Sequence, residues 1–216
     1  MMHLNEFFLG VIFINQKKFI RECILKSCVK TIVYAYNDII LSGCKFEDVP
    51  IEDKRRNQLV EIINKNRKKY SFNEIINTES GIIDEQLHTS GRIDICICYR
   101  PEAYTQECLS FECKRFSNKK RYTRRSVIDP FYNEGIYRYI SERYFCDSGY
   151  GGMIAFCESG SYNDLQKAIF SLLVEKSNET HNWNSDYKHN WIYESSFTTN
   201  NNREIKIVSI LMDFTN

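Results

Sequence analysis

No two cysteines in this chain stand in C-x-x-C spacing, although there are nine of them, at 23, 28, 44, 96, 98, 108, 113, 146 and 157. That absence argues against a zinc ribbon or a thioredoxin-like centre. The cysteines lie scattered, mostly inside apolar segments where a reduced thiol behaves as a small hydrophobe, which favours a reducing, cytoplasmic setting over secretion. Long hydrophobic runs are missing too. The longest, "FFLGVIFI" at 7–14, is too short to span a bilayer, so no membrane is expected. It also lacks a basic n-region and a small-residue cleavage site, and does not read as a signal peptide. A Walker loop, a Gly-rich dinucleotide turn and a GxSxG elbow are all absent, as are internal repeats and low-complexity tracts. Acids are missing from one stretch: Lys114 to Arg125 carries Lys114, Arg115, Lys119, Lys120, Arg121, Arg124 and Arg125 against a formal net charge of only +1 for the chain. Such a run is either a solvated face or a surface for an anionic partner.

The length of 216 residues suits one domain with a sizeable core. Residues 1–48 read as a mainly helical extension, because "KKFIRECILKSCVKTIVYAYNDIIL" has apolar residues at helical spacing and ends near Gly43. The remainder, 49–216, reads as a mixed α/β unit. "PIEDKRRNQLVEIINKNRKKY" opens with a proline and acids and closes with bases, the order a helix dipole prefers. Its buried side is marked by Leu59, Ile62 and Ile63, and Glu52, two turns before Leu59, projects from nearly the same face.

Three strand candidates follow: 73–88, broken by Gly81; "GRIDICICYR" at 91–100; and "CLSFECKRF" at 108–116, with "PEAYTQE" as a hairpin connection. Alternation assigns Ile93, Ile95, Ile97 and Tyr99 to one face of the second strand, with Arg92, Asp94, Cys96 and Cys98 on the other. In the third, Leu109, Phe111 and Cys113 oppose Ser110, Glu112 and Lys114. Downstream come a helix in "DPFYNEGIYRYISERYF", a buried strand in "GGMIAFCE" and an amphipathic helix in "NDLQKAIFSLLVEK" capped by Asn163 or Asp164. A final hairpin turns at Asn200–Asn202. The class is α/β with a mixed central sheet flanked by helices.

Glu112 and Lys114 share a face only if they lie on a strand; on a helix they would diverge by roughly 200°. Centring the hairpin on Ala103 places Asp94 directly opposite Glu112, with Cβ atoms about 5 Å apart. Asp94, Glu112 and Lys114 then crowd one spot. Two carboxylates so close raise one another's pKa and stay ionised most easily around a divalent cation, for which oxygen ligands suit Mg²⁺ or Mn²⁺. Such an ion activates water and stabilises charge on a phosphodiester under attack, with an ammonium beside it in the same task. The alternative is a ladder of salt bridges in which Lys114 pairs with both acids.

"GRIDICI" followed after a hairpin by "FECKR" resembles the D…(D/E)xK signature of the PD-(D/E)XK nuclease superfamily, which includes restriction endonucleases, junction resolvases and phage-defence nucleases. The family's core order of helix, three-stranded meander, helix and strand is similar to the order read over 51–157, about half of the chain. The resemblance implies a restriction-endonuclease-like core (αβββαβ), metal ligation by Asp94 and Glu112, and positioning of the nucleophilic water by Lys114. It also implies an acid from the first core helix, Glu52, with Asp53 as second choice. Asp94 follows Ile93 rather than proline, and no Gln-x-x-x-Tyr motif stands in the next helix, which offers Glu134, Tyr137 and Arg138 instead.

What the resemblance implies is a Mg²⁺-dependent endonuclease acting on nucleic acid, DNA before RNA, in restriction, repair or phage defence. Arg115, Lys119, Lys120, Arg121, Arg124, Arg125 and Arg138 would hold the backbone, through contacts that are salt-sensitive and largely indifferent to sequence. A homodimer or a regulatory partner protein fits that setting. The other reading is a catalytically silent nuclease-fold subunit that binds nucleic acid or a partner protein. Tyr122 is either a base-stacking residue or a packing one. His181 and His189 read as loop residues rather than ligands, and His3 and His88 are isolated.

Overall fold

A computed structural model of the chain describes residues 2–43, 52–83, 89–102, 105–117, 120–144, 148–183 and 190–215. Seven strands form one mixed sheet in the order β1-β2-β3-β4-β7-β6-β5. The strands are β1 (Ile75–Ile83), β2 (Thr89–Glu102), β3 (Thr105–Phe116), β4 (Tyr150–Cys157), β5 (Glu179–Asn182), β6 (Asn190–Thr198) and β7 (Glu204–Asp213). β1, β2 and β3 are an antiparallel meander, β3, β4 and β7 run parallel, and β7, β6 and β5 are antiparallel again. Parallel neighbours require a covered sheet, and all eight residues of β4 are buried.

The helices supply that cover in two layers. On one face lie α1 (Met2–Leu41) and α2 (Glu52–Lys65), which bury Leu25, Ile32, Tyr36, Leu59 and Ile63 against Ile95, Ile97, Phe111, Ile154 and Ile210. The short α3 (Arg67–Tyr70) follows a break at Asn66. On the other face, a helical run of α4 (Arg124–Val127), a π-helical segment (Ile128–Ile136) and α5 (Tyr137–Ile140) packs beside α6 (Tyr162–Lys176) over Met153, Ala155, Ile207 and Leu211. The N-terminal helix therefore shares a core with the sheet. Its Arg21 grips Glu107 of β3 through Nε at 2.7 Å and through Nη2, and Tyr99 adds a hydrogen bond of 2.9 Å. Burial alone would raise the Glu107 carboxyl, but these two donors together hold it below its usual range. No helix among the described residues is long and apolar enough to cross a membrane.

Several local expectations are corrected. The cap of α6 is Ser161, whose hydroxyl accepts from the Asp164 N–H at 3.2 Å, and not Asn163 or Asp164 further along. The helix expected to continue to Phe145 ends at Ile140, because Glu142 adopts a left-handed φ of 56° and the chain turns Tyr144 back toward Arg138. β5 had no counterpart in the sequence reading. Its four residues are largely exposed, so no apolar alternation marks it. Ile93 packs in the core on the opposite side from Ile95 and Ile97. Across from this point on β1, Glu79 takes a left-handed φ of 53°. The final hairpin turns where expected, between Thr198 and Glu204.

Two glycines make room for close packing, one between layers and one within the sheet. A Cβ on Gly135 of the π segment would overlap Met153 of β4, and one on Gly152 would overlap the ring of Phe111, its neighbour in the β3–β4 pair. Gly152→Ala is expected to lower stability by about 1–3 kcal/mol through overpacking. In a chain of this size that is roughly 2–4 °C of melting temperature per kcal/mol. Circular dichroism melting of the variant beside the wild type checks it.

Candidate active site

The β2–β3 ladder runs with Cys98 opposite Cys108, Ile97 opposite Leu109, Cys96 opposite Ser110 and Ile95 opposite Phe111. This register brings Asp94 level with Glu112, as the hairpin centred on Ala103 required. The strands run further into the connection than expected, to Glu102 and from Thr105. Beyond Ile95 and Phe111 no β2–β3 pairing continues among the described residues. Instead Asp94 Oδ2 accepts the backbone N–H of Cys113 at 2.8 Å. The side chain takes the place of a strand carbonyl, and the sheet forks: β2 stays with β1, while β3 from Phe111 to Phe116 stays with β4.

Glu112 and Lys114 stand on the β3 arm of that fork. Glu112 is only 2 % exposed, and both its oxygens are engaged. Oε1 receives Lys114 Nζ at 2.9 Å and Arg138 Nη1 at 2.7 Å. Oε2 lies 2.7 Å from the Tyr144 hydroxyl, which is also 2.9 Å from the Arg92 carbonyl, so one phenolic proton serves either acceptor. Arg138 Nη1 donates to the same hydroxyl at 2.6 Å. Burial is the largest influence on Glu112 and raises its pKa. The charge of Lys114 opposes this and that of Asp94 adds to it. Burial and the Glu112 charge both push the Tyr144 phenol upward.

Asp94 has a different cation. Arg56 of α2, 3 % exposed, donates from Nη1 to Asp94 Oδ1 at 3.0 Å and from Nη2 to Glu79 Oε1 at 2.9 Å. Lys114 therefore pairs with Glu112, and Asp94 is served from the helical layer. Asp94 is near enough for its charge to act on Glu112, but each acid is held by its own arginine, Arg56 on Asp94 and Arg138 on Glu112. Glu52 is the first residue of α2, one turn before Arg56; its side chain and that of Asp53 lie outside the described residues.

Sequence reasoning missed Arg56 and Tyr144. Arg56 carried a signal, since it precedes Leu59 by three residues and shares the buried side of α2. Tyr144 carried none, because only the chain reversal after Ile140 brings it to Glu112.

The basic stretch divides. Arg115 and Arg55 both bind Glu158, Arg55 at 3.0 Å, and Arg124 is paired with Glu175. Lys120, Arg121 and Arg125 are exposed, and Lys119 lies outside the described residues. Tyr122 is a packing residue: buried, edge-on to Phe116 and donating to the Ser159 carbonyl at 2.8 Å. His181 is exposed beside Glu179, and His88 and His189 lie outside the described residues.

The donor set of the fork, two carboxylates without a soft ligand, fits a hard divalent cation. The positive charge such an ion would bring is supplied by Arg56 and Arg138, one on each carboxylate. Asp94 and Glu112 would hold it, with the arginines drawing aside.

A raised Glu112 pKa means that the folded state keeps its proton to higher pH than the unfolded state does. Stability is therefore lost as pH rises from about 4.5, the ordinary value, through the raised one. Urea unfolding across that window should show the wild type losing stability relative to Glu112→Gln as pH increases. Parallel curves would remove this assignment.

Comparison of the chain with models of protein families, with curated proteins and with solved structures returned no match.

Proposed function

We propose that the chain is a metal-dependent phosphodiesterase acting on nucleic acid, DNA before RNA, built on a restriction-endonuclease-like core. The observation that carries this reading is the fork: Asp94 at its crotch, with Glu112 and Lys114 on one arm and a nitrogen–oxygen distance of 2.9 Å between them. Element order supports it. α2, the meander β1–β2–β3, a helical segment and β4 follow one another, with β4 parallel and adjacent to β3, an order similar to that of the PD-(D/E)XK core.

Bound at Asp94 and Glu112, Mg²⁺ or Mn²⁺ would supply Lewis acidity and a water of lowered pKa. Lys114 Nζ, once released from Glu112, points a donor at the attacking oxygen and offsets charge gathering on the phosphate. Arg138, with its side chain about one-third exposed, is placed to take a phosphate oxygen beside that centre. Arg56 orients Asp94 from behind, and Tyr144 keeps the Glu112 side chain in one rotamer. The exposed Lys120, Arg121 and Arg125 extend the positive surface over which a backbone would lie.

A second reading is a nuclease-fold subunit that binds without cutting. One observation favours it: every oxygen of Asp94 and Glu112 already accepts a donor from the protein. Incubation of the purified protein with plasmid DNA and Mg²⁺ or Mn²⁺ separates the two. The enzyme reading expects nicking or linearisation that chelator abolishes and that Glu112→Ala and Lys114→Ala each reduce by at least about 100-fold. Salt-sensitive binding without strand scission in either metal would select the silent subunit. Cleavage persisting in both variants would dissolve the site.

A further inference from the structure

The face of β3 that carries Glu112 continues through Ser110 to Cys108, and Cys96 and Cys98 lie across the ladder on the same side. Cys96 and Cys98 are two apart on β2, so their side chains share a face, and Cys108 lies directly opposite Cys98 on β3. The fourth corner, opposite Cys96, is Ser110. The Sγ atoms of Cys96 and Cys98 are 3.7 Å apart, those of Cys98 and Cys108 are 2.9 Å apart, and all three lie within 4.8 Å of one another. Ser110 is 1 % exposed, and its hydroxyl has no hydrogen-bond partner. A buried hydroxyl left unsatisfied costs about 1–3 kcal/mol, so Ser110 would gain from a partner at this corner.

We propose that Cys96, Cys98 and Cys108 form a binding site for one thiophilic d¹⁰ cation, zinc in the first instance, with the Ser110 hydroxyl or a water in the fourth position. Zn–S bonds of about 2.3 Å set tetrahedral sulfur–sulfur separations near 3.8 Å. The Cys96–Cys98 pair already has that spacing, and the Cys98–Cys108 pair reaches it by opening roughly 1 Å through side-chain rotation. Three thiolates without histidine or carboxylate select soft ions over Mg²⁺ or Mn²⁺. Binding releases the thiol protons to solvent, so it strengthens with pH. Burial raises the Cys108 thiol, and a cation at the cluster offsets that cost. A disulfide between Cys98 and Cys108 would use only two of the three sulfurs and leave Ser110 unsatisfied.

The ion would cross-link β2 and β3 two residues from Asp94 and four from Glu112. It would thereby lock the register on which the fork depends. The site stands on its own residues and does not rest on the nuclease reading.

The test uses the whole reduced protein, stripped with chelator and titrated with Cd²⁺. One equivalent should produce the ultraviolet thiolate-to-cadmium charge-transfer band, and Zn²⁺ should displace it. Cys98→Ser and Cys108→Ser should each weaken binding by at least about 10-fold, while Cys23→Ser, on α1, leaves it unchanged. Glu112→Gln should also leave it unchanged, which separates this site from the acidic one. As a check that needs no variant, Zn²⁺ should protect Cys98 and Cys108, but not Cys23, from alkylation read by peptide mass. The absence of a band in reduced, folded protein overturns the proposal. So does a band that survives Cys108→Ser, or equal alkylation of all three cysteines with and without zinc.

Discussion

One hydrogen bond organises the centre of this protein. By accepting the Cys113 N–H at 2.8 Å, the Asp94 carboxylate substitutes for a backbone carbonyl and ends the β2–β3 ladder. A sheet interior tolerates almost no unpaired amides, so two strands can part there only if something else satisfies the freed groups. Asp94 does so at the crotch, and the Tyr144 hydroxyl lies beside the Arg92 carbonyl on the arm that leaves. The parting opens the face of β3 on which Glu112 and Lys114 stand, while β4 holds the other edge of β3 in parallel register.

The fork gathers charge from both layers of the molecule. Arg56 reaches Asp94 from α2 on one face of the sheet, and Arg138 reaches Glu112 from α5 on the other. Buried ion pairs add little net stability, because desolvation offsets their attraction, but removing one partner is costly. Their effect here is positional: each helical layer is keyed to the same strands. The device recurs along β3, where Glu107 holds Arg21 of α1 and where Glu158 at the end of β4 holds Arg55 and Arg115. α1, α2 and α5 are thus tied by arginine–carboxylate contacts to the central strands.

Much of this was legible beforehand. Strict alternation in "CLSFECKRF" placed Leu109, Phe111 and Cys113 in the core and Glu112 and Lys114 on one face, because a period of two allows no other arrangement on a buried strand. The hairpin register followed from the length of the connection. It carried more than Asp94 and Glu112: the same pairing sets Cys98 against Cys108, a juxtaposition that a search for C-x-x-C spacing passes over. Alternation failed at Ile93, which packs on the side opposite Ile95 and Ile97 just where β2 parts from β3. The cap of α6 was placed two or three residues late because Ser161, Asn163 and Asp164 all offer a side chain that can cap.

Local pattern was enough for the α/β class, the main strands and helices, the register that brings Asp94 level with Glu112 and the shared face of Glu112 and Lys114, since these follow from periodicity and from pairing between segments close in the chain. Tertiary structure alone decided which cations meet those acids, that Glu112 is buried, and that much of the basic stretch is already paired. Arg56 lies 38 residues from Asp94, and Tyr144 lies 32 from Glu112. Contacts at such separations depend on how whole layers pack, a quantity no local pattern encodes.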